Sequence, residues 1–138
     1  MVESSKINVL IIEDNPAYQR LLKKWLERKG YLCSIAPDGM EGLNAARRLM
    51  PDLILLDLLL PKMDGLQVCR MIKFDQRTKQ IPIIILTSRD LDEDEQAARK
   101  FGADAFIVKT TRIEVIMDVI DRLLDKYGKL ESKNPDET

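Results

Sequence analysis

Short apolar runs alternate with helix-period segments five times along this chain, and no other feature restricts its fold as much. Ile7–Ile12, Tyr31–Ala36, Leu53–Leu56, Ile81–Leu86 and Asp104–Val108 read as strands. The first is apolar at every position but Asn8, as suits a strand covered on both faces. Five β-α units of this size imply right-handed crossovers and a parallel sheet with helices on both faces. In open sheets of that kind, ligands bind beyond the strands' carboxyl ends, near the topological switch point. The rule directs attention to Glu13-Asp14, Asp57, Thr87-Ser88, Phe106 and Lys109, which follow or end the apolar runs.

The intervening segments carry helix signals. Asn15 is the expected N-cap of the first, with Pro16 at its first position. Tyr18, Leu21, Leu22, Trp25 and Leu26 form its sheet-facing stripe, and Gly30 closes it. Asp38 with Glu41, Asp90 with Glu93, and Thr111 with Glu114 are expected capping pairs for the second, fourth and fifth helices. The second helix is expected to turn Leu43, Ala46 and Leu49 inward, and the third Val68, Cys69 and Ile72. The fifth carries Ile113, Ile116, Met117, Ile120 and Leu124. The fourth offers little beyond Ala97, Ala98 and Phe101, so it is expected to be the least firmly docked.

Composition excludes several classes. The 138 residues fit one domain, with residues 1–128 expected to fold and 129–138 to form a disordered tail. With 22 basic against 23 acidic residues, nothing points to direct nucleic-acid or membrane binding. No apolar stretch approaches a membrane span, and Met1 to Lys6 lack a signal-peptide core, so a cytoplasmic location is expected. Cys33 and Cys69 read as buried free thiols. The sequence has no histidine, so it cannot itself be a histidine phosphodonor.

Glu13, Asp14 and Asp57 place three negative charges against the one positive charge of Lys109. Such a cluster asks for a divalent cation, and hard oxygen donors favour Mg²⁺. A carboxylate beside Mg²⁺ and a lysine is a plausible nucleophile for phosphoryl transfer. Thr87 would supply a hydroxyl donor to a phosphoryl oxygen and Lys109 a cationic one.

Glu13-Asp14, the D-L-L-L-P-x-M-D-G stretch from Asp57, Thr87-Ser88 and Lys109, in this order and spacing, resemble the receiver domain of two-component response regulators. The resemblance runs from about Ile7 to Tyr127. It implies a flavodoxin-like (βα)₅ fold with strand order 2-1-3-4-5. It makes Asp57 the phosphoacceptor, with Asp14, Asp57 and the Leu59 backbone carbonyl as Mg²⁺ ligands and Glu13 acting through a metal-bound water. Lys109 and Thr87 would meet the phosphoryl group, with Ser88 small beside it and Phe106 changing rotamer with Thr87. Leu59 and Arg89 would set the phosphoryl lifetime; an apolar Leu59 and an Arg89 reaching over the group imply slow self-dephosphorylation.

One position departs from the family pattern. Receivers usually carry a proline, often cis, after the lysine, whereas this chain has Thr110. A non-proline cis bond costs about 3–4 kcal/mol, so a trans Lys109–Thr110 bond is expected, with Lys109 placed differently or held less firmly.

Three function classes follow. The first is a phosphorylation-driven, non-enzymatic switch charged by a histidine kinase or histidine phosphotransfer protein. Its output would leave by protein contact at the fourth-helix, fifth-strand, fifth-helix face, including a phosphorylation-dependent dimer; the chain would be a stand-alone receiver, a relay intermediate or part of a larger regulator. The second is an aspartate-nucleophile phosphatase of the haloacid dehalogenase type, which needs an acid where Leu59 stands. The third is a degenerate receiver binding partners without phosphorylation. Nucleotide or flavin binding lacks the phosphate loop it needs after the first strand.

Overall fold

A computed structural model describes residues 6–130. Five strands, β1 (Asn8–Ile12), β2 (Leu32–Ala36), β3 (Leu53–Leu56), β4 (Ile83–Thr87) and β5 (Ala105–Val108), alternate with α1 (Pro16–Arg28), α2 (Gly39–Leu49), α3 (Gly65–Lys73), α4 (Asp92–Lys100) and α5 (Ile113–Lys126). The strands form one parallel sheet in the order β2-β1-β3-β4-β5, as the sequence implied. The chain steps from β1 outward to β2, then back across to β3. The switch point therefore lies between β1 and β3.

Strand alternation sorts the core into two layers. Val9, Ile11, Leu53, Leu55, Ile84 and Leu86 face α1 and α5, meeting Leu22, Leu26, Ile116, Met117, Ile120 and Leu124. Leu10, Ile12, Ile54, Leu56, Ile83 and Ile85 face the other side, against Leu43, Ala46, Val68, Cys69, Ile72 and Ala98 of α2, α3 and α4. Cys69 is buried and Cys33 half-buried, both free thiols. Burial pushes each thiol up to about 11. No helix among the described residues is long and apolar enough to cross a membrane.

The stripes are narrower than the sequence suggests. Leu21 on α1 and Leu49 on α2 are exposed, because each lies at the edge of its helix's contact with the sheet. The capping pairs also divide. Asn15 Oδ1 accepts from Tyr18 N–H at 2.9 Å, and Asp38 Oδ1 from Glu41 N–H at 2.8 Å, as expected. Asp90 does not cap α4: the N-cap is Leu91, whose backbone carbonyl accepts from Asp94 and Glu95, with no side-chain cap bond. Thr111 does not cap α5, which starts after Arg112, also without a side-chain cap. Lys129 and Leu130, placed by the sequence reading in the tail, belong to the fold. Lys129 N–H donates to Leu124 O at 2.9 Å, and Leu130 packs on the α5 layer. The remainder of the expected tail lies outside the described residues.

Caps that form should register in stability and caps that do not should not. Asp38→Ala is expected to lower unfolding free energy by about 1 kcal/mol, and Asp90→Ala by less than about 0.5 kcal/mol, in urea unfolding. Equal losses would contradict this assignment.

Candidate functional site

The register that pairs Ile12 with Leu56 sets the next residues, Glu13 and Asp57, side by side at the carboxyl edge. Asp57 N–H donates to Ile12 O, and Glu13 N–H to Ala36 O, each at 3.0 Å, so the backbone carries both acids one step past the sheet. Glu13 is 2% and Asp57 4% exposed, whereas Asp14 is exposed. Lys109 enters from the end of β5, where its N–H donates to Thr87 O at 2.8 Å. Its ammonium donates to Glu13 Oε1 at 2.8 Å and to Asp57 Oδ2 at 3.0 Å. One cation thus bridges two buried anions.

Among the described residues no peptide is cis, so the Lys109–Thr110 bond is trans, as expected. Lys109 still reaches both carboxylates, so Thr110 does not displace it. Burial alone would lower the Lys109 pKa, but its bonds to Glu13 and Asp57 reverse this and hold it above the ordinary lysine value. Burial drives Glu13 upward, and the Lys109 and Asn15 bonds recover only part of that cost.

The neighbouring loops fix the acids. Asn15 N–H donates to Glu13 Oε2 at 3.0 Å while the Asn15 side chain caps α1, and Gln19 Nε2 donates to Glu13 O at 2.5 Å. Leu59 N–H donates to Asp57 Oδ1 at 3.2 Å. Gly65 N–H donates to Leu58 O at 3.0 Å. A methyl group on Gly65 would stand 2.3 Å from Asp57 O and 2.5 Å from the Leu58 Cα. Only glycine lets α3 start so close behind Asp57.

The remaining expected residues separate. Thr87 is fully buried, and its Oγ1 accepts from Arg89 N–H at 3.3 Å. Ser88 is exposed on the groove that Lys109 and Tyr18 also line. Leu59 is 42% exposed and shares an open cleft with Asp64 and Arg89. Arg89 does not reach over Asp57. Its guanidinium is held by Asp94 in a two-bond pair of 2.6 and 3.1 Å, since that buried carboxylate on α4 needs a partner. Phe106 is half-buried on β5 and packs against the α2-α3-α4 layer. Sequence reasoning missed Tyr18 as a site residue, reading it only as core. Its ring lies 4.6 Å from the Lys109 ammonium. Asp94 was hidden within an acidic helix start, and Gly65 appeared only within a motif.

Glu13, Asp14 and Asp57 each offer a carboxylate oxygen, and the three lie within 4.8 Å of one another. Residues 9–121 match the response regulator receiver domain. The chain belongs to that family. DNA-binding dual master transcriptional regulator RpaA of Synechocystis is 38% identical over 122 residues, 88% of this chain and 51% of RpaA. Polar-differentiation response regulator DivK of Brucella ovis is 34% identical over 117 residues, 85% of this chain and 95% of DivK. The chain therefore spans about half the length of RpaA and nearly all of DivK. The receiver domain of a Pseudomonas aeruginosa sensor histidine kinase, crystallised with magnesium coordinated in its active-site cleft, matches with a TM-score of 0.80 at 27% identity, covering 88% of this chain and 99% of that one.

This receiver's site should betray the shared ammonium through pH. Removing Lys109 leaves Glu13 buried without its main counter-charge, so its pKa rises further. A folded carboxyl pKa above the unfolded value means that the native state holds the extra proton, so stability falls as pH rises above about 4.5. Lys109→Met is expected to cost about 3 kcal/mol at pH 7 in metal-free buffer. The difference from wild type should shrink toward pH 4.5 in urea unfolding. A pH-independent difference would contradict the shared-ammonium assignment.

Proposed function

We propose that Asp57 accepts a phosphoryl group from a phosphohistidine donor and that the added charge switches this receiver's protein contacts. The observation that carries the reading is a nearly buried Asp57 carboxylate at the end of β3, bonded to Lys109 and clustered with Glu13 and Asp14. Asp57 oxygen attacks phosphorus as the donor's P–N bond breaks, and the histidine ring leaves with a proton. Lys109 stands where the growing charge on a phosphoryl oxygen needs a cation. Thr87 would turn its hydroxyl toward the same group, giving up its bond to Arg89 N–H. Phe106 would repack behind Thr87, with Ser88 leaving room beside the group.

The donor set suits a hard divalent cation: three carboxylates, all oxygen, with a single ammonium to offset them. Asp14, Asp57 and the Leu59 carbonyl would hold Mg²⁺ directly, and Glu13 through water. Bound there, Mg²⁺ supplies charge neutralisation to the phosphoryl oxygens. The added charge at Asp57 acts outward through Thr87 and the β4–α4 loop to the α4-β5-α5 face, which would meet a target protein or a second copy. A histidine kinase or histidine phosphotransfer protein would be the donor. The degenerate-receiver reading rested on Thr110, and it is weakened because Lys109 stands 3.0 Å from Asp57 regardless.

Incubation with Mg²⁺ and acetyl phosphate should add one phosphoryl mass to wild type and none to Asp57→Asn, read by intact mass. No gain in wild type, or equal gain in both, would overturn the reading. Thermal midpoints should rise with Mg²⁺ in wild type and much less in Asp14→Asn. Leu59 brings no group that orients an attacking water, so phosphorylated protein should persist for hours once the donor is removed. Loss within about a minute in Mg²⁺, without added phosphatase, would contradict that expectation.

A further inference from the structure

We propose that Tyr18 is a positioning residue for Lys109, its ring face holding the ammonium on the Asp57 side of the site when a phosphoryl group separates the two. The inference rests on the phosphoryl-acceptor reading above and adds a residue to it. Lys109 Nζ lies 4.6 Å from the Tyr18 ring centroid, within the range of a cation–π contact. Its other contacts are Glu13 Oε1 at 2.8 Å and Asp57 Oδ2 at 3.0 Å. A phosphoryl group on Asp57 displaces the second, because the Oδ–phosphorus bond puts new oxygens between carboxyl and ammonium. Glu13 and the ring then remain as the fixed walls.

The ring is itself well placed to hold. Tyr18 N–H donates to the Asn15 cap at 2.9 Å, and Asn15 N–H donates to Glu13 Oε2 at 3.0 Å. One loop therefore sets both Glu13 and the aromatic face against the same ammonium. The Tyr18 hydroxyl is buried without a hydrogen-bond partner among the described residues. It contributes no bond to the site, so the face of the ring does the positioning. Together with the Thr110 backbone, which lacks proline's restriction, this explains how Lys109 is held: from its side-chain end.

Two measurements on the full chain test this. In wild type, the Lys109 ε-protons should show an upfield ring-current shift by NMR, retained in Tyr18→Phe and lost in Tyr18→Leu. With Mg²⁺ and acetyl phosphate, Tyr18→Leu should phosphorylate about 3- to 10-fold more slowly, the effect expected of one cation–π contact. Tyr18→Phe should match wild type, and neither variant should change Mg²⁺ affinity. No ring-current shift in wild type overturns the proposal even if Tyr18→Leu fails to fold. A Tyr18→Phe loss equal to that of Tyr18→Leu, or a Tyr18→Leu rate equal to wild type, also overturns it. Wild type that shows the shift yet takes no phosphoryl group overturns the acceptor reading instead, and with it the step this contact would serve.

Discussion

Two buried carboxylates share one ammonium at the carboxyl edge of the sheet, and the architecture of the site depends on that arrangement. Glu13 and Asp57 are each nearly inaccessible, and an isolated charge in such a place is strongly disfavoured. Lys109 answers both at about 3 Å, but one positive charge cannot neutralise two, and Asp14 adds a third negative charge beside them. The site therefore carries a standing electrostatic deficit. A hard cation would reduce the deficit, and it finds its carboxylate ligands already in place.

Secondary structure alone would not give this precision. The β1–β3 register sets Glu13 and Asp57 level, and two loops then lock them. Asn15 serves twice, its side chain capping α1 and its N–H gripping Glu13, so the helix start and the acid are held by one residue. On the β3 side, α3 begins so close to Asp57 O that Gly65 admits no Cβ. The pocket is built mainly from backbone placed by strand ends, and the side chains inherit that rigidity.

Much of this was legible in the sequence because it follows from periodicity and position. Five apolar runs gave the sheet, and the rule that ligands bind beyond strand ends brought Glu13, Asp14, Asp57, Thr87 and Lys109 together. What escaped the sequence depends on neighbours distant along the chain. Asp90 and Thr111 have the chemistry of caps, yet in both helices the cap position falls one residue later, at Leu91 and Arg112. Arg89 has the reach to cover Asp57, but a buried Asp94 claims it. Tyr18 is spaced like any core residue of α1, and only the fold shows that its ring meets Lys109.

The helix α4 shows how these levels connect. Ala98 is its one fully buried apolar residue, so apolar packing binds it weakly. What ties its first turn to the sheet is polar: Arg89 N–H on Thr87 Oγ1 at 3.3 Å, and the Arg89 guanidinium on Asp94 at 2.6 Å. Thr87 is also the hydroxyl nearest in sequence to the site's strand edge. A phosphoryl oxygen on Asp57 that accepted the Thr87 O–H would turn Oγ1 away from Arg89 N–H, whereas a well-packed helix would resist through its buried area. A small-residue helix latched by two polar contacts can respond to a single charge, because the free energies at stake are comparable. The paucity of large apolar side chains between Asp92 and Lys100 leaves the start of α4 held chiefly by these polar contacts.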